Sequence, residues 1–260
     1  MKKTLILLVM FALGYSAMAQ DKLYYVLEFM KVDEQNESAY LETESFWEKI
    51  HEQRIKNSDI VGWDLWKLKS NDKDLSYQYL TINVYNDPAK MLTEAGNIIE
   101  LAKKAFPKLS DEEINKRMDR TARSRELAVR YYLERIDKTD DDFEMPVGTI
   151  ATLSMMKVDL EDFREYEKAE HEIFKPMHQT EIDNGQRSSW NLNRFISPVG
   201  SDTYASHITM NIYKDFNQFF STSTDDEPAY TEAEQKAIDE GITLRKMKYV
   251  HMATLLKKVR

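Results

Sequence analysis

The chain contains no cysteine, and its 260 residues include only seven glycines and six prolines. The missing cysteine excludes disulfides, thiolate zinc sites, iron–sulfur clusters and a cysteine-borne lipid anchor. Neither GxGxxG nor GxxxxGK[ST] occurs, so the common nucleotide loops are absent. There is no GxSxG elbow. His51-Glu52 and His171-Glu172 would need histidines at 55 and 175 to form a zinc-binding helix, and Ile55 and Lys175 stand there. The stretch DKTDDDFE lacks the turn glycine and closing glutamate of a calcium loop, and reads as a solvated acidic linker. Positive charge is in deficit, giving a formal net charge of -9. That balance argues against a nucleic-acid or anionic-membrane partner.

What is present is a globular balance, with 42% hydrophobic and 31% charged residues. Lys2 and Lys3 precede an apolar run from Leu5 to Leu13, and Ala17-Met18-Ala19 fits a small-x-small cleavage rule. This predicts a signal peptide over 1–19, cleavage after Ala19 and a periplasmic or secreted protein. No membrane span is expected after its removal. A small-molecule ligand and self-association both remain open.

The remainder is written twice. FMKVD at 29–33 returns as MMKVD at 155–159, and Tyr40-x-x-x-Glu44 as Tyr166-x-x-x-Glu170. GWDLW at 62–66 matches SWNLN at 189–193, and LTINVYND at 80–87 matches ITMNIYKD at 208–215. The offset drifts from 126 to 128, as in a duplicated domain with small insertions. The division is 20–136 for the first repeat, 137–148 for an acidic linker and 149–260 for the second.

Each copy alternates strand and helix periods in one order. In the first, strands are expected at 23–32, about 60–69, 74–85 and 127–136. Helices are expected at 36–57, after Asp87-Pro88, and from Ser110, where SDEE has the capping-box pattern. The second copy repeats this, ending in a strand at 246–257. The order β-α-β-β-α-(α)-β is a ferredoxin-like unit. The fold class is α+β. One such sheet carries helices on one face only, so two tandem copies are expected to pack sheet against sheet. The arrangement resembles the dimeric α+β barrel superfamily, fused into one chain over about 23–257. That superfamily includes cofactor-free oxygenases, haem-degrading oxygenases, haem-dependent chlorite-decomposing enzymes, lactone isomerases and proteins without known activity. The resemblance implies either no cofactor or haem.

Strand residues alternate between faces. The aliphatic set Leu80, Ile82 and Val84, with Leu27 and Phe29, is expected to face the helices. The polar set is expected to face the barrel interior as a ligand pocket. It comprises Glu28, Tyr79, Thr81, Asn83 and Tyr85 from the first copy and Ser154, Thr209, Asn211 and Tyr213 from the second. Trp66 and its counterpart Asn193 join it. His207 and His251, matching Tyr79 and Tyr131, are candidate acid/base groups or haem ligands, as is His178 for haem. The same polar set also fits a wet interior without a ligand. Glu44 and Glu170 share a helix face with aromatic residues, and pairing with a cation is the expected role. Three functions follow: a small-molecule binder, an oxygenase- or isomerase-type enzyme, or a structural protein.

Overall fold

The computed structural model describes residues 22–69, 77–93, 96–221 and 230–260. The expected signal peptide lies outside the described residues, as does the start of the predicted third strand.

The first copy runs β1 (Tyr24–Lys31), α1 (Glu37–Lys56), β2 (Gly62–Leu68), β3 (Tyr79–Tyr85), α2 (Pro88–Leu92), α3 (Ile98–Ala105), α4 (Asp111–Ser124) and β4 (Glu126–Lys138). The second runs β5 (Ile150–Lys157), α5 (Phe163–Ala169), a π turn (Glu170–Phe174), α6 (Lys175–Asp183), β6 (Ser189–Ser197), β7 (His207–Tyr213), α7 (Phe216–Phe220), α8 (Glu232–Thr243) and β8 (Lys246–Val259). Local chemistry explains the helix starts. Ser110 Oγ accepts the Glu113 N–H at 3.2 Å, and the Glu113 carboxylate accepts the Ser110 N–H at 2.8 Å. Thr231 and Glu234 repeat that box in the second copy.

All pairings are antiparallel, and the eight strands close into one barrel in the order β1-β3-β2-β8-β5-β7-β6-β4. The two sheets are therefore joined edge to edge as well as facing each other. The last strand of each copy makes the joint. β4 pairs with β1 and with β6, and β8 pairs with β5 and with β2. Their lengths, 13 and 14 residues, let each serve two neighbours. Register shifts at Phe29/Met30, Leu65/Trp66 and Met155/Met156 supply curvature for closure.

The interior is aliphatic and aromatic. Leu27, Phe29, Leu80, Ile82 and Val84 meet Leu153, Met155, Ile208 and Ile212 in one buried cluster spanning both copies. On β1, β3, β5 and β7 the predicted orientation is thus reversed, while Trp66 on β2 and Asn193 on β6 face the interior as expected. The polar face turns outward, beneath the helices, where Tyr79 and Tyr85 pack with Tyr40 and Met91. The reason lies on α1, whose buried residues include Thr43, Glu44, His51 and Arg54. A helix with polar groups on its buried face needs a polar sheet face beneath it. The interior, away from solvent, takes the aliphatic face.

Candidate functional site

A cavity of about 370 Å³ occupies one end of the barrel interior. Its walls are mainly apolar and come from both copies, with Leu27, Ile82 and Val84 on one side and Ile208, Met210 and Ile212 on the other. The size and lining are those of a small-molecule site.

Two polar groups stand out on the wall. Trp66 on β2 and Asn193 on β6 occupy equivalent positions in the repeat, and each is only 1% exposed. Trp66 Nε1–H has no hydrogen-bond acceptor. Asn193 Nδ2 donates to Asn191 Oδ1 at 2.6 Å, while its Oδ1 is left without a donor. One buried donor and one buried acceptor are therefore unfilled. Such groups cost about 1–3 kcal/mol each unless a ligand or water completes them.

Charges gather at the rim. Arg260 reaches over Gly62, where a Cβ would meet its guanidinium at 2.7 Å. There it pairs with both Asp64 oxygens, at 2.8 and 2.9 Å. Burial pushes the Asp64 carboxyl up, against the pull of Arg260. Burial likewise raises the Tyr25 hydroxyl, opposed by neighbouring Arg135.

The expected solvated linker is a strap over this end. Asp141, Asp142, Phe143 and Met145 line the cavity, and Phe143 and Met145 pack against the interior cluster. Gly148 N–H donates to Leu255 O at 2.9 Å, and Lys258 Nζ holds the Glu144 carbonyl. The acidic residues hid a short apolar alternation. Asp137, at the end of β4, is buried between Lys175 Nζ at 2.7 Å and His171 Nδ1 at 2.6 Å. Burial raises its carboxyl, but these partners hold it below the usual range.

Of the predicted pocket residues, Trp66 and Asn193 line the interior cavity. Glu28, Asn83 and Tyr85 line a different one, of about 460 Å³, between the first sheet and its helices. Tyr79 and Thr81 share this outer face, where the Tyr79 hydroxyl donates to Glu37 and Thr81 Oγ1 to Glu28 at 3.4 Å. Ser154, Thr209, Asn211 and Tyr213 lie on the outer face of the second sheet, where Asn211 Nδ2 donates to Thr152 Oγ1 at 3.0 Å. Glu44 and Glu170 are buried against Arg125 and Arg245 at matching places. Sequence reasoning missed Asn191, Arg260 and the strap. Asn191 was within reach, because it stands two residues from Asn193 and shares its face.

The structure does not bring the candidate histidines together. His207 is fully buried under α5, with Nε2 3.1 Å from Glu167 Oε1 and Nδ1 3.0 Å from Ser206 Oγ. Burial lowers its pKa against the opposing pull of Glu167. His251 points into the barrel among Phe29, Tyr77 and Tyr249, away from the cavity walls. Burial pushes its imidazole down to about 4.

Haem was a possible cofactor, and the candidate histidines do not fit it. Both nitrogens of His207 are engaged. In His51 and His178, Nδ1 accepts from Arg54 and Arg187 respectively. In His51 that places the ring proton on Nε2 and leaves no lone pair for iron, and His178 Nδ1 is shared between Arg187 and Glu181. His251 Nδ1 is unpartnered but enclosed by aromatic rings. No histidine lines the interior cavity.

No family model and no curated sequence matches the chain. Solved structures do. A candidate monooxygenase from Lactobacillus acidophilus superposes with a TM-score of 0.52 at 11% identity, covering 92% of this chain and 95% of that one. A candidate monooxygenase from Fusobacterium nucleatum gives 0.51 at 13%, covering 91% and 93%. An anthrone oxidase-like protein gives 0.52 at 11%, covering 93% and 94%. These relationships concern architecture, and together with the strand order they lead to one statement: the chain has the dimeric α+β barrel fold, with both halves supplied in tandem by a single polypeptide.

Proposed function

We propose that this is an exported protein that binds a small, largely apolar molecule inside the barrel, beneath the strap. The observation that carries this reading is the pair Trp66 and Asn193. Both residues line an apolar cavity of about 370 Å³, and each carries one buried polar atom without a partner just behind that wall. A ligand with an apolar body would fill the space, and one acceptor and one donor on it would complete both atoms once these two side chains turn towards it. The wall is mainly apolar and its Asp64 is committed to Arg260, which suits holding an apolar molecule. Export rests on the segment 1–19. N-terminal sequencing of the mature protein should begin at Gln20.

The test is a melting series with phenols and naphthols of graded size, since a ligand of the native state raises Tm. Members that fit should raise Tm. Trp66→Phe and Asn193→Leu should each weaken binding about tenfold, as expected for one lost buried hydrogen bond. A flat series, or unchanged affinity in both variants, would overturn the reading. An oxygenase activity of the kind named for the neighbours would use this same largely apolar space, and oxygen uptake in the presence of a bound phenol measures it.

A further inference from the structure

The two copies each place a guanidinium against a histidine and a tyrosine, but neutralise it differently. In the first copy, Arg54 Nη1 donates to His51 Nδ1 at 3.2 Å and Asn83 Oδ1 at 3.0 Å, and Nη2 donates to the Tyr85 hydroxyl at 3.2 Å. Arg54 is 6% exposed and its Nε has no partner. Among the described residues no carboxylate pairs with it. Burial and Arg54 itself hold His51 well below its usual pKa, so the imidazole adds no second charge.

In the second copy the position of Arg54 is taken by Glu181, and that of His51 by His178. The guanidinium now comes from Arg187. It contacts His178 Nδ1 and lies 5.9 Å from the ring centre of Tyr213, the counterpart of Tyr85. Glu181 Oε2 is 2.7 Å from Arg187 Nη2. The same three groups are therefore completed by an internal carboxylate in one copy and lack it in the other. A buried guanidinium without an anion is costly.

Beside Arg54 lies the cavity of about 460 Å³, with Trp47, Met91 and Ile98 on its apolar side and 60%-exposed Leu92 lining it as well. We infer that this cavity binds the carboxylate of a small organic acid. The carboxylate plays the part that Glu181 plays in the second copy, neutralising the guanidinium, here Arg54 beside Tyr85, with its apolar body against Trp47 and Ile98. One unpaired positive charge matches a carboxylate better than a phosphate dianion. The other two cations on the wall are already engaged, Arg125 with Glu44 and Arg130 with Glu28. The site is on the opposite face of the sheet from the barrel interior and is independent of the function proposed there.

Calorimetric titration of the full mature chain at pH 7 with benzoate, benzamide and inorganic phosphate tests the inference. Benzoate should bind at one site, and benzamide and phosphate at least about tenfold more weakly. Arg54→Gln should weaken benzoate by about tenfold or more. Because Arg54 also supports the fold, Leu92→Glu provides a second variant on an exposed residue. It brings a competing carboxylate to the cavity and should reduce benzoate binding without lowering Tm. Absence of benzoate binding, equal binding of benzamide, preference for phosphate, or unchanged affinity in Leu92→Glu or a folded Arg54→Gln would each overturn it.

Discussion

At the scale of single residues, the polar groups of this protein divide into those paired within the chain and those left open. Glu44 with Arg125 and Glu170 with Arg245 belong to the first kind, each carboxylate being no more than 2% exposed. Removing one partner leaves a buried charge uncompensated. Glu44→Ala should therefore cost about 3–5 kcal/mol, while Glu44→Met with Arg125→Met should recover much of it, read from urea midpoints. His251 belongs to the second kind, with a pKa of about 4 set by burial. The unfolded chain takes up this proton near pH 6.5 and the folded chain only near 4. Stability from this group is thus full above about pH 6.5 and falls as pH drops towards 4, by about 3 kcal/mol. His251→Phe should flatten that part of the Tm profile; an unchanged slope would refute the assignment.

At the scale of elements, the strands and helices themselves were legible. Predicted and observed ranges agree within a few residues for most elements, because period-2 and period-3.6 patterns differ clearly and SDEE carries its own cap. The pleat of β3 was also read correctly. Its direction was not, since alternation says which residues share a face and nothing about what lies beyond it. The missing signal was on α1: Tyr40, Glu44, Trp47, His51 and Arg54 form a polar and aromatic stripe that needs a polar sheet beneath it. The reversed face gives a direct check. Leu153, fully buried inside the barrel, should lose about 2–5 kcal/mol as Leu153→Ala. The strap has its own signature. Phe143→Ala with Met145→Ala should speed release of a bound naphthol in stopped-flow fluorescence, with little change in the rate of binding.

At the scale of the whole molecule, closure is the decisive feature. β4 and β8 join the two sheets, so no edge strand stays unpaired in the barrel. A half would expose its interior face, with Leu153, Met155, Ile208 and Ile212 in the second copy. Residues 149–260 expressed alone should therefore dimerise or aggregate, and a folded monomer by light scattering would contradict this. A chain cut within the strap should stay associated, held by the β2–β8 and β4–β6 ladders.

By itself the sequence determined the duplication, the element order and the grouping of residues on strand faces. These depend on local periodicity and on comparison of one half with the other. Only the tertiary structure decided which face is interior, where Trp66 and Asn193 meet a shared cavity, and how Arg54 and Glu181 diverge around the same histidine. Those outcomes depend on which surfaces compete for the dry space between the sheets, and that competition joins residues more than a hundred positions apart.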